Sequence, residues 1–326
     1  CCSAPIETMF ILKTIFFGLF VLQTNCLCTR EDKHGVSRAL PRVLLLGAQK
    51  CGTTSMKADL HRGIPALLSA KVPQSRHGID PSFFSKELHF FDKADRFNSG
   101  AFLYGAYYPE CKDLDEKEIP IDATPNYFSS EGNEGSETWD RAYSFYNSLS
   151  SSDGSSVEAS LVFIVIVRDP VDRYVSAFSH YHQTDRRHWN NTIDAYVERS
   201  ITECPSLQVQ WECRDDILKK GVYSIALDGW ISRFKKAQFL ITTFSHYHDP
   251  THAGNVINKI AMMIGVESRD FRRFTHLNHK SNGLADTDVN SLRAKEKLQQ
   301  YYEPHNKKFW DALKRYTSDT DLRVTF

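Results

Sequence analysis

Two kinds of run alternate along this chain. Arg42-Val-Leu-Leu-Leu-Gly47 and Leu161-Val-Phe-Ile-Val-Ile-Val167 are short and apolar at nearly every position. Neither shows the period of two that marks a half-exposed strand. Each therefore predicts a strand covered on both faces, as in a parallel sheet. Phe239-Leu-Ile-Thr-Thr-Phe244 predicts a third. Helical spacing follows at Thr53 to His61, Val171 to Tyr181, Val256 to Ile264 and Asp288 to Tyr302. Strands alternating with helices predict an α/β fold: one domain with a central, mostly parallel sheet flanked by helices. Residues 62–120 mix aromatic clusters with Pro and Gly, and Ser148 to Ser156 predicts a flexible loop.

The N-terminal pattern is different. From Met9 to Leu22 the chain is apolar except for Lys13 and Thr14. That is shorter than the roughly 20 residues of a comfortable membrane span. It suits the apolar region of a signal peptide or a short signal-anchor; a buried helix is the other reading. The expected organisation is a leader or anchor over residues 1–29, a short stem over 30–41, the α/β domain over 42–318 and a tail over 319–326.

Charge changes the picture only by exclusion. Forty basic residues balance forty acidic ones. A nucleic-acid coat protein would need a basic excess, so no nucleic-acid partner is expected. A local basic cleft for a small anion remains open. Eight cysteines in 326 residues do not make a disulfide scaffold. Cys204 and Cys213, nine apart in a polar stretch, could close a small disulfide loop or stand as two surface thiols. Cys1, Cys2, Cys26 and Cys28 fall in the N-terminal segment, and Cys51 and Cys111 have no evident partner. No Cys/His spacing resembles a zinc site, so no metal is expected. The sequon Asn190-Asn191-Thr192 makes Asn190 a candidate glycosylation site.

The first chemical motif is Gly47-Ala-Gln-Lys50-Cys-Gly52-Thr53-Thr54. It lies between a predicted strand and a predicted helix, where backbone N–H groups and a helix N-terminus converge on an anion. Lys50 adds a point charge, and Thr53 and Thr54 add hydroxyls. The fold class thus becomes P-loop-like α/β. The ordinary nucleotide-triphosphate loop has its Lys directly after the second Gly. Here Thr53 holds that position and Lys50 precedes Gly52 by two residues. A tight turn with no ligand is the alternative. The second motif is Arg168-Asp169-Pro170 with Arg173 and Ser176. An Arg at a strand's C-terminal end points to the crevice where α/β folds bind ligands. With the Ser176 hydroxyl two helical turns on, a guanidinium fork suits a phosphate monoester. An ion pair with Asp169 or a nearby carboxylate is the plainer reading of Arg168.

Together these motifs resemble the sulfotransferases that use 3′-phosphoadenosine 5′-phosphosulfate (PAPS). Lys50-Cys-Gly-Thr-Thr54 is similar to that family's 5′-phosphosulfate loop. Val167 to Ser176 is similar to its 3′-phosphate motif, which implies Lys50, Cys51, Gly52, Thr53, Thr54, Arg168 and Ser176 as donor-binding residues. The likeness extends to the Golgi carbohydrate branch over roughly residues 42–315. Lys86-Glu-Leu-His-Phe-Phe-Asp92 resembles the segment with that branch's catalytic carboxylate, and Asp122-Ala-Thr-Pro-Asn-Tyr127 its substrate-side segment. Gly221-Val-Tyr to Trp230, Phe239-Leu240 and Tyr301 to Asn306 match its C-terminal half. The two-cysteine segment before Gly221 is most like the chondroitin/dermatan N-acetylgalactosamine 4-sulfate 6-O-sulfotransferases, with the heparan sulfate enzymes next. Two positions depart. Asp122 stands where the heparan 3-O enzymes carry a Lys, and His279-Lys-Ser-Asn-Gly283 stands for a Gly/Lys/Arg-rich loop, leaving Lys280 and Gly283 as its counterparts.

Sulfuryl transfer needs a base near the acceptor hydroxyl and a cation near the leaving oxygen. Glu87 is the expected base, in a segment whose Phe83, Phe84, Phe90 and Phe91 could desolvate it. A surface glutamate is the alternative. His89 is the rival base or a hydrogen-bonded structural residue. Lys50 is expected to stabilise the leaving oxygen, and no metal is required, because sulfate carries less charge than phosphate. Glu87, His89, Asp122 and Tyr127 are the expected acceptor contacts. The resemblance implies PAPS as co-substrate, an anionic polysaccharide acceptor and residence in the Golgi lumen. The membrane would be met only through the N-terminal segment, as in a type II protein, or not at all after secretion. Arg186, Arg187 and His188, and Arg269, Arg272, Arg273, His276, His279 and Lys280, could form a polyanion groove or a solvated basic face. A P-loop kinase or NTPase, and a non-catalytic glycan-binding protein on the same scaffold, are the competing functions.

Overall fold

The computed structural model describes residues 27–32, 34–71, 87–129, 137–149, 157–184, 192–204, 215–235, 238–270 and 289–317. The Met9–Leu22 run, Asn190, Cys213, Lys280 and Gly283 lie outside them, as do Arg186 to His188 and Arg272 to His279.

The described strands are β1 (Leu27–Cys28), β2 (Ala39–Leu40), β3 (Val43–Gly47), β4 (Leu67–Ser69), β5 (Ile119–Ala123), β6 (Val162–Val167) and β7 (Phe239–Thr243). Five of them form one sheet in the order β4-β5-β3-β6-β7. All of its pairings are parallel. The two continuous apolar runs become its central strands, β3 and β6, and every residue of both is buried. Each such side chain contributes roughly 1.5–3 kcal/mol by leaving water.

Each strand hands over to a helix. β3 leads to α1 (Thr53–Gly63), and β4 is followed by the short α2 (Ala94–Asn98) and α3 (Gly100–Gly105). β5 leads to α4 (Thr138–Ser148), and β6 to α5 (Pro170–Thr184), α6 (Ile193–Glu203), α7 (Asp216–Lys219) and α8 (Tyr223–Ile231). β7 leads to α9 (Phe244–His248), α10 (Pro250–Ile264) and α11 (Val289–Thr317). The sheet and α10 share the main core. A second apolar cluster joins α5, α6, α7 and the first half of α11 through Tyr174, Val197, Leu218 and Leu298. None of the described helices is long and apolar enough to cross a membrane.

Two helices outrun their apolar patterns. α10 starts at Pro250 because the Asp249 carboxylate caps the Thr251 N–H at 2.8 Å, with Pro250 in the first turn. It stops at Gly265, whose φ of 74° is the left-handed C-terminal cap. α11 continues past Tyr302 through Pro304, held by the buried Phe309, Ala312 and Leu313. β4 and β5 went unread: β4 has three residues, and β5 contains Pro120 and Asp122.

Residues before 42 also differ from expectation. Cys28, grouped with the leader, and Cys111, left without a partner, form a disulfide. β1 pairs antiparallel with β2, and Ala39 and Leu40 are fully buried. These residues therefore lie on the folded side of the boundary expected at 42. The bridge closes a sequence separation of 83 residues. Crosslinks over loops of that size typically stabilise by about 2–5 kcal/mol, mainly by restricting the unfolded chain. Cys111→Ser is expected to lose that much in urea denaturation of the oxidised protein. An unchanged midpoint would show that the bridge is dispensable. Cys204 is also disulfide-bonded, and its partner lies outside the described residues. Cys51 is a buried unbonded thiol.

Candidate active site

The C-terminal ends of β3, β5, β6 and β7 face one crevice. From β3 the chain runs to β4 on one side, and after β5 it crosses to β6 on the other; such a reversal of strand order is where open α/β sheets bind ligands. The β3–β6 register shifts between Leu45 and Gly47, and there the chain leaves the sheet. Gly47 has φ of 143°, and a Cβ on it would lie 2.3 Å from the Pro125 carbonyl oxygen. Only glycine lets β3 pass under the 124–128 turn, which is fastened by the Phe128 N–H donating to the Leu46 carbonyl at 2.7 Å.

The loop then curls to present its backbone. Lys50 takes a left-handed φ of 69°, unusual for a residue with a Cβ. Gly52, at φ 88°, is the N-cap of α1 and brings no capping side chain. The first turn of α1 contains no acidic residue. Its N–H groups and positive dipole end are thus arranged for an anion. A Cβ on Gly52 would lie 2.9 Å from the Phe244 ring. Cys51 turns inward, its Sγ 3.5 Å from the Tyr223 hydroxyl, and burial pushes the thiol up. The Cys51 N–H donates to the Ala48 carbonyl at 3.2 Å. Gln49 donates to the Tyr181 hydroxyl at 3.0 Å, tying the loop to α5.

Arg168 ends the next strand. Its guanidinium lies 4.9 Å from the centre of the Phe244 ring. The Tyr223 hydroxyl donates to its carbonyl at 3.0 Å. Asp169 is not its ion-pair partner: that carboxylate caps α5, accepting from the Val171 and Asp172 N–H groups at 2.9 and 3.0 Å. The pair forms instead with Asp172 at 3.3 Å, whose side chain is 55% exposed. A pair so wet contributes about 0–1 kcal/mol and yields readily to a better anion. Ser176 is half-buried two turns along α5. Arg173 is fully buried and donates to the Ile217 carbonyl, so it packs under the site and does not line it.

Asp122 and Tyr127 correct the sequence reading. Both are buried, and their exposure is 1% and 0%. Asp122 is the hub of a polar network behind the crevice. It accepts from the hydroxyls of Thr124, Tyr104 and Tyr127 at 2.7, 2.8 and 2.8 Å. Burial pushes its carboxyl up, and these donors oppose that. Thr124 in turn accepts from the Leu88 N–H at 3.0 Å, and Tyr127 from the Phe90 N–H at 2.8 Å. The two residues expected to touch an acceptor instead hold the Glu87 segment in place.

On that segment Phe90 and Phe91 turn into the aromatic core, where Phe90 stacks on Tyr104 at 4.1 Å. The neighbour of Glu87 is His89, with Nε2 3.5 Å from the Glu87 carboxylate and Nδ1 2.7 Å from Asp92. Burial disfavours the charged ring, but hydrogen bonds to Asp92 and Glu87 outweigh it and push its pKa up to about 9. At neutral pH the ring is an imidazolium with no lone pair to accept a proton. In that state His89 donates to both carboxylates, Asp92 and Glu87. Its φ of 51° is the second left-handed non-glycine conformation at the site.

Thr53, Thr54, Glu87, Lys57, Ala123 and Pro125 line one cavity. It joins the phosphate loop to the carboxylate. Sequence reasoning missed Lys57 and Phe244. The first was legible as helical spacing from Thr53 and Thr54; the second, at the end of an apolar strand, gave no signal of its role. Among the described residues no group of three or more His, Cys, Asp or Glu is placed to hold a metal ion.

Residues 40–308 match the family model described as a sulfotransferase domain. No curated protein sequence matches the chain. Among solved structures, a sulfotransferase from Alicyclobacillus acidocaldarius aligns at 17% identity over 84% of this chain and 95% of its own, with a TM-score of 0.52. The mouse sulfotransferase SULT7A1, solved with PAP, aligns at 13% identity over 86% of this chain and 85% of its own, with a TM-score of 0.39. The first likeness supports the fold, and the family match covers most of the chain. The chain belongs to the sulfotransferase domain family, and sulfuryl transfer is its class of reaction.

Proposed function

We propose that this protein transfers the sulfuryl group of PAPS to a hydroxyl of an anionic polysaccharide of the glycosaminoglycan kind, in the lumen of the secretory pathway. One observation carries the reading: Glu87 opens into the same cavity as Thr53 and Thr54 of the phosphate loop. A base and a donor cradle meet in one cavity, where in-line transfer can bring acceptor and donor together.

The residues fit the donor. The uncapped start of α1, with Gly52 where a side chain would intrude, suits the 5′-phosphosulfate. Arg168 and Ser176 suit the 3′-phosphate: a guanidinium fork held over Phe244, and a half-buried hydroxyl about two turns along α5. Glu87 takes the proton of the attacking hydroxyl. The new O–S bond forms as the bond from sulfur to the bridging oxygen breaks, and the leaving phosphate keeps that electron pair. Lys50 stabilises the charge growing there. Two further observations support the lumenal reading: the Cys28–Cys111 bridge and the oxidised Cys204, since such bonds persist in oxidising compartments. The Golgi residence and type II topology implied by the sequence belong to this proposal.

Arg168 gives the test of the donor site. Calorimetric titration compares PAP with 5′-AMP, which lacks the 3′-phosphate. Arg168→Met is expected to weaken PAP by about tenfold or more, the worth of a charge-assisted hydrogen bond, and to leave 5′-AMP within about twofold. Equal losses for both nucleotides would remove Arg168 from the 3′-phosphate site.

A further inference from the structure

We infer that Lys57 is a specificity-determining residue: it binds an anionic group that the acceptor carries beside the hydroxyl to be sulfated. The inference deepens the proposed function and rests on it. Lys57 follows Thr54 by three residues and Thr53 by four, so all three share one face of α1. That face lines the cavity that Glu87 also lines. Leu45, Ala123 and Pro125 supply apolar surface around them. Among the described residues lining this cavity, Lys57 and Glu87 are the two that carry charge.

The position of Lys57 separates its role from that of Lys50. Lys50 sits on the loop ahead of α1, where the donor's phosphosulfate is collected. Lys57 lies a full turn farther along the helix, past the N–H groups that serve the donor. Its charge is felt by the buried Asp122 behind the crevice. It is half-buried, so a charge here is only partly solvated. An acceptor that offers its hydroxyl to Glu87 would bring its neighbouring substituent against Lys57. A carboxylate or sulfate ester at that substituent gains a charge-assisted contact that a neutral sugar cannot make. The residue thus selects an acidic sugar at the reacting position, and does not merely attract a polyanion to the surface.

The experiment uses the full chain saturated with PAP and two oligosaccharide probes, a uronate-containing sulfated one and its carboxyl-reduced, desulfated counterpart. Binding is measured by calorimetry, and transfer by label from PAPS where turnover occurs. The wild type is expected to bind the acidic probe at least tenfold more tightly than the neutral one. Lys57→Met should erase most of that preference by raising Kd and KM for the acidic probe, with kcat within a few-fold, PAP affinity unchanged and thermal stability kept. Lys57→Arg should restore the preference. If Lys57→Met binds the acidic probe as the wild type does, the assignment of Lys57 is overturned and the acidic acceptor stands. A fall in kcat alone, equal on both probes, also overturns it, by making Lys57 a positioning residue for Glu87. A wild type that prefers the neutral probe, or binds neither while still binding PAP, overturns the inference together with the polysaccharide reading.

Discussion

Glu87→Gln is expected to lower sulfuryl transfer by about two to four orders of magnitude, the usual loss on removing a general base, while PAP affinity stays within about twofold. The substitution keeps the shape of the side chain and an oxygen that can accept from His89. What it removes is the ability to take a proton. The donor site is built from other elements, the loop after β3 and the end of β6, so nucleotide binding has no reason to follow. His89 sets the alkaline limit of the same reaction. Its pKa is raised from the ordinary histidine value to about 9 by Asp92 and Glu87 against the cost of burial. A raised pKa means that the ion pair contributes fully below about pH 6.5 and fades as pH rises through about 9. The transfer rate is therefore expected to decline on that limb. A loss of less than tenfold in Glu87→Gln would move the base elsewhere.

Asp122→Ala is expected to destabilise the fold by about 3–5 kcal/mol, since each buried hydroxyl left without its acceptor costs about 1–3 kcal/mol. Three hydroxyls, those of Tyr104, Thr124 and Tyr127, would lose their acceptor in a place water does not reach. The loss also reaches the site. Thr124 and Tyr127 hold the backbone of Leu88 and Phe90, and with it the approach of Glu87 to the cavity. Tyr104→Phe removes only one donor and keeps the ring that stacks on Phe90 of the Glu87 segment. It should cost about 1 kcal/mol and leave transfer nearly intact. Urea denaturation of both variants checks the ranking. Equal small losses would show that the network is not cooperative.

The parts of the fold that were legible share a physical reason. β3 and β6 are central strands, so both faces are apolar and the run announces itself. The phosphate loop was legible because close backbone approach demands glycine and because a helix must start there. β4 and β5 were not. β5 is fully buried yet holds Asp122, whose charge is accommodated by hydroxyls 2 to 18 residues away in sequence. No local pattern reports such partners, and the residue read instead as an acceptor contact. The same holds for Cys28 and Cys111. Their pairing follows from where β1 and β2 dock, a fact of the tertiary structure. Arg168 and Asp169 show a finer limit. The motif set them side by side, but only geometry showed that Asp169 caps a helix and leaves Asp172 to meet the arginine.

The central claim is that the loop after β3, Arg168 and Glu87 form one site for moving a sulfuryl group from nucleotide to sugar. Transfer of label from PAPS to chondroitin, dermatan and heparan acceptors, run in parallel with wild type and Glu87→Gln, tests it most directly. The expected result is labelled product on one acceptor class with the wild type and almost none with the variant, both proteins binding PAP equally. Failure of the wild type to bind PAP or to label any acceptor would contradict it.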